Sequence, residues 1–295
     1  MKLLRAEHLG MCFGVRDAIA LALKHSQHAP LTILGELVHN ETVLDGLRAR
    51  GVSVESDLAA VATSTVMITA HGASGRRLDL VRGRGLNVVE ATCPLVHAAH
   101  RGVKQLVADG FHPVLIGKRD HVEVRGLTED LAAFDVVLTE TDVDELRERP
   151  RFGVAAQTTQ PIERVRVLVE RIRAKFPQSE VRFIDTVCQP TKQRQQAAVE
   201  LARQCDVVVV IGGAHSNNTR ELVATSGRHC ARVHHVQGAD DLRAGWFCAE
   251  DTVGITAGTS TLDGTIAAVE ARLHAIALRC AAERPPSELS EIHAA

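Results

Sequence analysis

The stretch VVVVIGGAHSNN, residues 207–218, sets the fold class. Four valines and an isoleucine run together with no polar alternation. A strand apolar on both faces has no solvated side, so it belongs inside a parallel sheet covered by helices. The run ends at two glycines and passes into His, Ser and Asn. Five further runs have the same form: TILGELVHN (32–40), VMITAHGAS (66–74), PVLIGKRDHVE (113–123), FGVAAQTT (152–159) and VGITAGTS (253–260). Weaker strands are expected near 52–54, 136–138 and 233–236. Helix-like segments alternate with the strands, which predicts an α/β fold of parallel sheets.

The cysteines reveal a repeat. KLLRAEHLGMC, LNVVEATC and VRFIDTVC each read as a short strand, a few small or polar residues and a cysteine, at Cys12, Cys93 and Cys188. A helical segment follows each. In ATCPLV (91–96) Pro94 suits a first helical position. That places Cys93 at a helix N-terminus, where the dipole favours a thiolate. The spacings are 93 − 12 = 81 and 188 − 93 = 95 residues, so the pattern recurs threefold. Two strong strands fall in each third. The expectation is three similar α/β units in a pseudo-threefold arrangement around a shared cleft. They span residues 1–92, 93–187 and 188–280, followed by a polar arm at 281–295.

Composition narrows the function. Lys and Arg total 34 against 36 Asp and Glu, a net charge of −2, which offers no basic surplus for nucleic acid. Aromatic residues make up 3% with no tyrosine, too few for base-stacking platforms. The aliphatic runs are far too short to span a membrane, and the first residues lack an apolar leader. A cytoplasmic protein with no nucleic-acid or membrane partner is expected. The seven cysteines contain no Cys-x-x-Cys pair, which argues against a zinc ribbon; a disulfide framework is a weak reading for a chain this long. Cys205, Cys230, Cys248 and Cys280 read as small apolar packing residues.

Parallel sheets bind ligands beyond the carboxyl ends of their strands. His39, Asn40 and His71 are expected there in the first unit, and His121, Glu123, Gln157, Thr158 and Thr159 in the second. His215, Ser216, Asn217, Asn218, Thr259 and Ser260 are expected there in the third. Three thiolates form a soft ligand set that selects zinc, copper or an iron–sulfur cluster. A 4Fe-4S cluster with only three thiolates keeps one iron open. The histidines, with Ser216, Asn218 and Ser260, make a donor-rich pocket suited to a diphosphate. No nucleotide-binding glycine signature is present. In a closed pocket Glu123 would have a raised pKa and could deliver a proton, with Thr158 and Thr159 as relay. A zinc-dependent phosphoester hydrolase fits the same residues. So does a non-catalytic diphosphate-binding or redox-sensing protein.

Nine segments in order, GMCFGV, LVHNETV, AHGAS, ATCPLV, HVEVRG, QTT, DTVCQPTKQRQ, HSNNTREL and TAGTS, run from about residue 3 to 280. Together they resemble the 4-hydroxy-3-methylbut-2-enyl diphosphate (HMBPP) reductase family. The resemblance implies a central 4Fe-4S cluster held by Cys12, Cys93 and Cys188, with one iron open. It implies a diphosphate substrate bound by His39, His71 and His121 with Ser216, Asn217, Asn218 and Ser260. Glu123 falls on the proton donor and Thr158 on the proton relay. The implied reaction is reductive dehydroxylation of HMBPP to isopentenyl and dimethylallyl diphosphate in the methylerythritol phosphate route. Ferredoxin or flavodoxin would supply the electrons. The chain departs from the family pattern at Asp17, Val122, Arg125, Ala214-His215, Asn217 and Leu262, all of which leave the implied cluster ligands and proton donor in place. Val122 and Arg125 flank Glu123 and are expected to bear on its geometry and charge.

Overall fold

A computed structural model describes residues 1–282, so the expected arm lies outside the described residues except for its first two. The first part of the chain carries β1 (Lys2–Arg5), α1 (Phe13–Ser26), β2 (Thr32–Leu34), α2 (Glu41–Arg48), β3 (Ser53–Glu55), β4 (Thr65–Ile68), α3 (Gly75–Gly83) and β5 (Asn87–Glu90). The middle carries α4 (Pro94–Ala108), β6 (His112–Ile116), α5 (Val122–Thr128), β7 (Asp135–Val137), α6 (Glu140–Asp144), β8 (Arg151–Ala156), α7 (Ile162–Lys175) and β9 (Glu180–Phe183). The last part carries α8 (Gln189–Ala202), β10 (Val207–Ile211), α9 (Asn217–Gly227), β11 (Arg232–Val236), β12 (Thr252–Ala257) and α10 (Asp263–Ala282).

The strands form three four-stranded sheets, ordered β3-β2-β4-β5, β7-β6-β8-β9 and β11-β10-β12-β1. The pairings within them are parallel. The six aliphatic runs are the central strands, and the weaker strands lie at the edges. The expected parallel α/β architecture of three similar units is therefore present.

Burial explains the arrangement. Val207, Val209 and Ile211 point into one core beneath α10, while Val208 and Val210 point into another beneath α8 and α9. Val114 and Ile116 split from Leu115 in the same way, and Ile33 and Met67 from Leu34 and Val66. The period of two sends alternate residues to opposite faces, so a strand with helices on both sides must be apolar throughout.

The third sheet completes itself with the beginning of the chain. Strand β1 pairs with β12 from Lys2↔Thr252 to Arg5↔Ile255. Residues 1–92 therefore supply one whole sheet plus the edge of another. Local patterning says that a strand exists but not which strand it pairs with.

Polar clamps join the units. Arg164 meets Glu221 through two bonds of 2.7 and 3.1 Å. Asn40 Nδ2 donates to the Ser260 carbonyl at 2.7 Å, and the Asp130 carboxylate accepts from the Gly75 and Arg76 N–H groups at the start of α3. Among the four cysteines expected to pack as apolar residues, Cys230 is buried and Cys205 and Cys280 are half-buried, but Cys248 is exposed. It follows Phe247 in an irregular stretch outside the sheet, where its apolar neighbours do not cover it. No helix among the described residues is long and apolar enough to cross a membrane.

Candidate active site

Three cysteines occupy equivalent places. Cys12, Cys93 and Cys188 are the N-cap residues of α1, α4 and α8, and Pro94 sits in the first turn of α4 as expected. Each cysteine N–H is held by a carbonyl in the loop after the neighbouring central strand. The partners are Thr259 O at 3.0 Å, Ala70 O at 3.1 Å and Thr158 O at 3.0 Å. Each cysteine carbonyl accepts the first bond of its helix, from Arg16, His97 and Lys192. The same backbone device thus aims three thiols, one following the edge strand of each sheet.

Burial overrides the helix dipole at Cys93 and Cys188. Desolvation pushes the Cys93 thiol up, although the Leu95 and Val96 N–H groups pull it down. Burial pushes Cys188 up to about 11, against the pull of Thr191. The charges of Cys12 and Glu123 add to the rise at both, which puts the three cysteines and Glu123 in one electrostatic neighbourhood. A free thiolate is therefore disfavoured at Cys93 and Cys188.

The donor set fits a multinuclear group better than a single ion. Zinc–sulfur bonds of about 2.3 Å would draw three sulfurs to within roughly 3.8 Å of one another. The cysteines form no group of donor atoms within 4.8 Å among the described residues. The backbone also makes room beside them. A Cβ on Gly14 would lie 2.5 Å from Cys93 Sγ. Gly14→Ala should therefore displace that thiol and lower the iron content of anaerobically purified protein; unchanged iron would remove Gly14 from this role.

Beside Glu123 sits a knot of imidazoles. His39 and His71 stack at 4.4 Å, and His121 meets them edge-on at 5.2 and 5.5 Å. Their nitrogens lie within 4.8 Å of one another. The hydrogen bonds favour an anion over a metal. His121 Nδ1 accepts from the Glu123 N–H at 3.1 Å, so the proton of the neutral ring is on Nε2, which is then a donor and not a metal ligand. His39 Nδ1 lies 2.7 Å from Glu36 Oε2. His39 Nε2 and His71 Nδ1 are buried with no partner, an arrangement that costs free energy unless a ligand completes it. Burial first, then repulsion from the neighbouring imidazoles, pushes His71 well below the usual imidazole range. Burial also pushes His121 down to about 3, assisted by His39, Lys118, Arg220 and Arg125.

The third unit closes the pocket. A Cβ on Gly213 would stand 2.5 Å from the His39 carbonyl, so only glycine allows that approach. Ser216 caps α9, Ser260 Oγ lies 3.5 Å from the His39 carbonyl, and Asn218 Oδ1 accepts from the Thr259 N–H. Asn218 Nδ2 is buried without a partner. The Asn217 amide donates to Thr159 Oγ1 at 3.2 Å, tying α9 to the second unit.

Glu123 is 1% exposed. The Thr158 N–H donates to Oε1 at 2.6 Å, and Thr158 Oγ1 lies 2.9 Å from Oε2. Burial raises the carboxyl pKa to about 7 despite both bonds. Val122 begins α5 without disturbing this contact. The charge of Arg125 acts on His121.

Reading the sequence missed Glu36, which orients His39, and Arg194. The Arg194 guanidinium donates twice to the Gly10 carbonyl, at 2.9 and 2.7 Å, within the field of Cys12 and Cys188. A glutamate three positions before the histidine was the available signal for the first. Nothing in QPTKQRQQ singles out the second.

Residues 3–274 match the family model described as LytB protein. The 4-hydroxy-3-methylbut-2-enyl diphosphate reductase of Aquifex aeolicus is 38% identical over 278 residues, 92% of this chain and 95% of that relative. The reductase of the same name from Trichlorobacter lovleyi is 37% identical over 263 residues, 88% of this chain and 93% of that one. The solved E-1-hydroxy-2-methyl-but-2-enyl-4-diphosphate reductase from Plasmodium falciparum superposes with a TM-score of 0.84 at 26% identity, covering 90% of this chain and 86% of that one. A match of this length, carried through three sheets and their loops, means that the chain belongs to the LytB family of 4-hydroxy-3-methylbut-2-enyl diphosphate reductases.

Proposed function

We infer that this chain is an iron–sulfur oxidoreductase that reduces HMBPP to isopentenyl and dimethylallyl diphosphate. The observation that carries the reading is a buried carboxyl with a pKa near 7 placed between three convergent thiols and a donor-rich anion pocket. Two electrons and two protons replace the substrate hydroxyl with hydrogen and release water.

Cys12, Cys93 and Cys188 would hold a 4Fe-4S cluster. When bound, that group supplies electrons singly and a Lewis-acidic position for the substrate oxygen. The protein supplies anchorage and protons. His39, His71 and His121, with Ser216, Asn217, Asn218 and Ser260, hold the diphosphate. The anchored diphosphate fixes where the hydroxyl end can reach. Glu123, neutral near pH 7, delivers a proton to the leaving oxygen. Thr158 both donates and accepts, so it can reload the carboxyl. Ferredoxin or flavodoxin provides low-potential electrons. The spread of the thiols supports this reading over a zinc hydrolase, and the intact Glu123–Thr158 pair supports it over a non-catalytic binding protein.

Anaerobic purification followed by iron and sulfide analysis and an HMBPP assay tests the reading. About four iron and four sulfide per chain with HMBPP-dependent oxidation of a reduced dye is expected. A colourless zinc protein would overturn it. His39→Ala should raise KM about 10–100-fold, the range for losing a charge-assisted hydrogen bond to phosphate. An unchanged KM would remove His39 from the diphosphate site.

A further inference from the structure

The histidine pocket opens into a cleft of about 550 Å³, lined in part by His39, His121, Lys118, Arg125 and Arg220. The three cations come from different elements: the loop after β6, α5 and α9. All three are exposed. None of their side chains has an ion pair or hydrogen bond among the described residues. Several surface arginines elsewhere are matched, Arg151 by Glu180, Arg171 by Asp144 and Arg182 by Asp109. Carboxylates do line the cleft, but two are engaged, Glu36 by His39 and Glu129 by Ser74; Asp120 is the third. A concave wall bearing three unmatched cations, next to buried imidazole and amide nitrogens that lack partners, is built to receive a highly charged anion.

We propose that Arg125, flanked by Lys118 and Arg220, binds the distal phosphate of the incoming diphosphate at the cleft mouth and passes it to the histidine pocket. This rests on the diphosphate reading of the pocket and extends it outward. The guanidinium fork suits two phosphate oxygens at once. Lys118 and Arg220 supply field, which acts across a Debye length of about 8 Å at physiological salt. The three cations would add speed and retention at entry, and leave the reduction to Glu123 and the buried centre.

The test compares wild type, Arg125→Gln and Arg125→Lys as holoenzymes, with Arg220→Gln as a second variant. Arg125→Gln should lower kcat/KM about tenfold at low ionic strength while kcat changes little, and should flatten the decline of kcat/KM with salt. Arg125→Lys should restore the salt dependence. Inorganic pyrophosphate titrated by calorimetry gives a reading independent of turnover, and its affinity should fall in Arg125→Gln and Arg220→Gln. Wild-type pyrophosphate affinity with an unchanged salt slope in Arg125→Gln would overturn the proposal. If His39→Ala still loses pyrophosphate in that case, the pocket reading stands alone. If pyrophosphate fails to bind wild type, both fall.

Discussion

Cys93→Ser should purify without its cluster, with iron and sulfide well below about four each per chain, and with HMBPP reduction at background. The same holds for Cys12→Ser and Cys188→Ser. Each thiol is the one soft donor that its helix start presents, and no other cysteine caps a helix in this neighbourhood. A serine hydroxyl at such a half-buried position keeps its proton far more firmly than a thiol and is a hard ligand. The fold should survive, because the N-cap backbone bonds, from the Cys93 N–H to the Ala70 carbonyl and from the His97 N–H to the Cys93 carbonyl, do not depend on the side chain. Full iron content with full activity in any one of the three would exclude that residue as a ligand.

Glu123→Gln should keep substrate affinity and lose roughly 10²–10⁴ in kcat, the usual worth of a positioned proton donor. The amide is nearly isosteric and still accepts from the Thr158 N–H, so a drop would reflect proton supply and not a collapsed pocket. The pH profile gives a second readout. Burial keeps the Glu123 carboxyl protonated up to about pH 7. The competent form therefore dominates below that pH and is lost above it, and wild-type kcat/KM should fall on the alkaline side. Glutamine cannot titrate, so that limb should vanish in the variant. A variant with wild-type kcat, or with the same alkaline limb, would place the proton donor elsewhere.

The legibility of this protein from its sequence follows from what each signal depends on. Central strands such as VVVVI declare themselves because both faces are buried, and the cysteine-capped helices because they recur with the same neighbours. The partner of β1 was hidden, since pairing is a long-range property. The thiolate expectation at Cys93 failed in magnitude: a helix terminus contributes less than burial costs at that depth. Glu36 and Arg194 gain their roles from side-chain direction in space, which neither propensity nor spacing encodes. Arg125 was visible as a charge beside Glu123, yet its influence falls on His121.

The pairing of β1 with β12, and of the Cys12 N–H with the Thr259 carbonyl, has a consequence for biosynthesis. Translation is vectorial, and Cys12 leaves the ribosome long before its structural partners exist. The sheets built from β2–β5 and β6–β9 can assemble as they emerge. The first cysteine must wait, tethered but unplaced, until the strand at Thr252–Ala257 has cleared the exit tunnel. The three thiols therefore reach their common setting only in a nearly finished polypeptide, and a truncated nascent chain presents at most two of them in their final places.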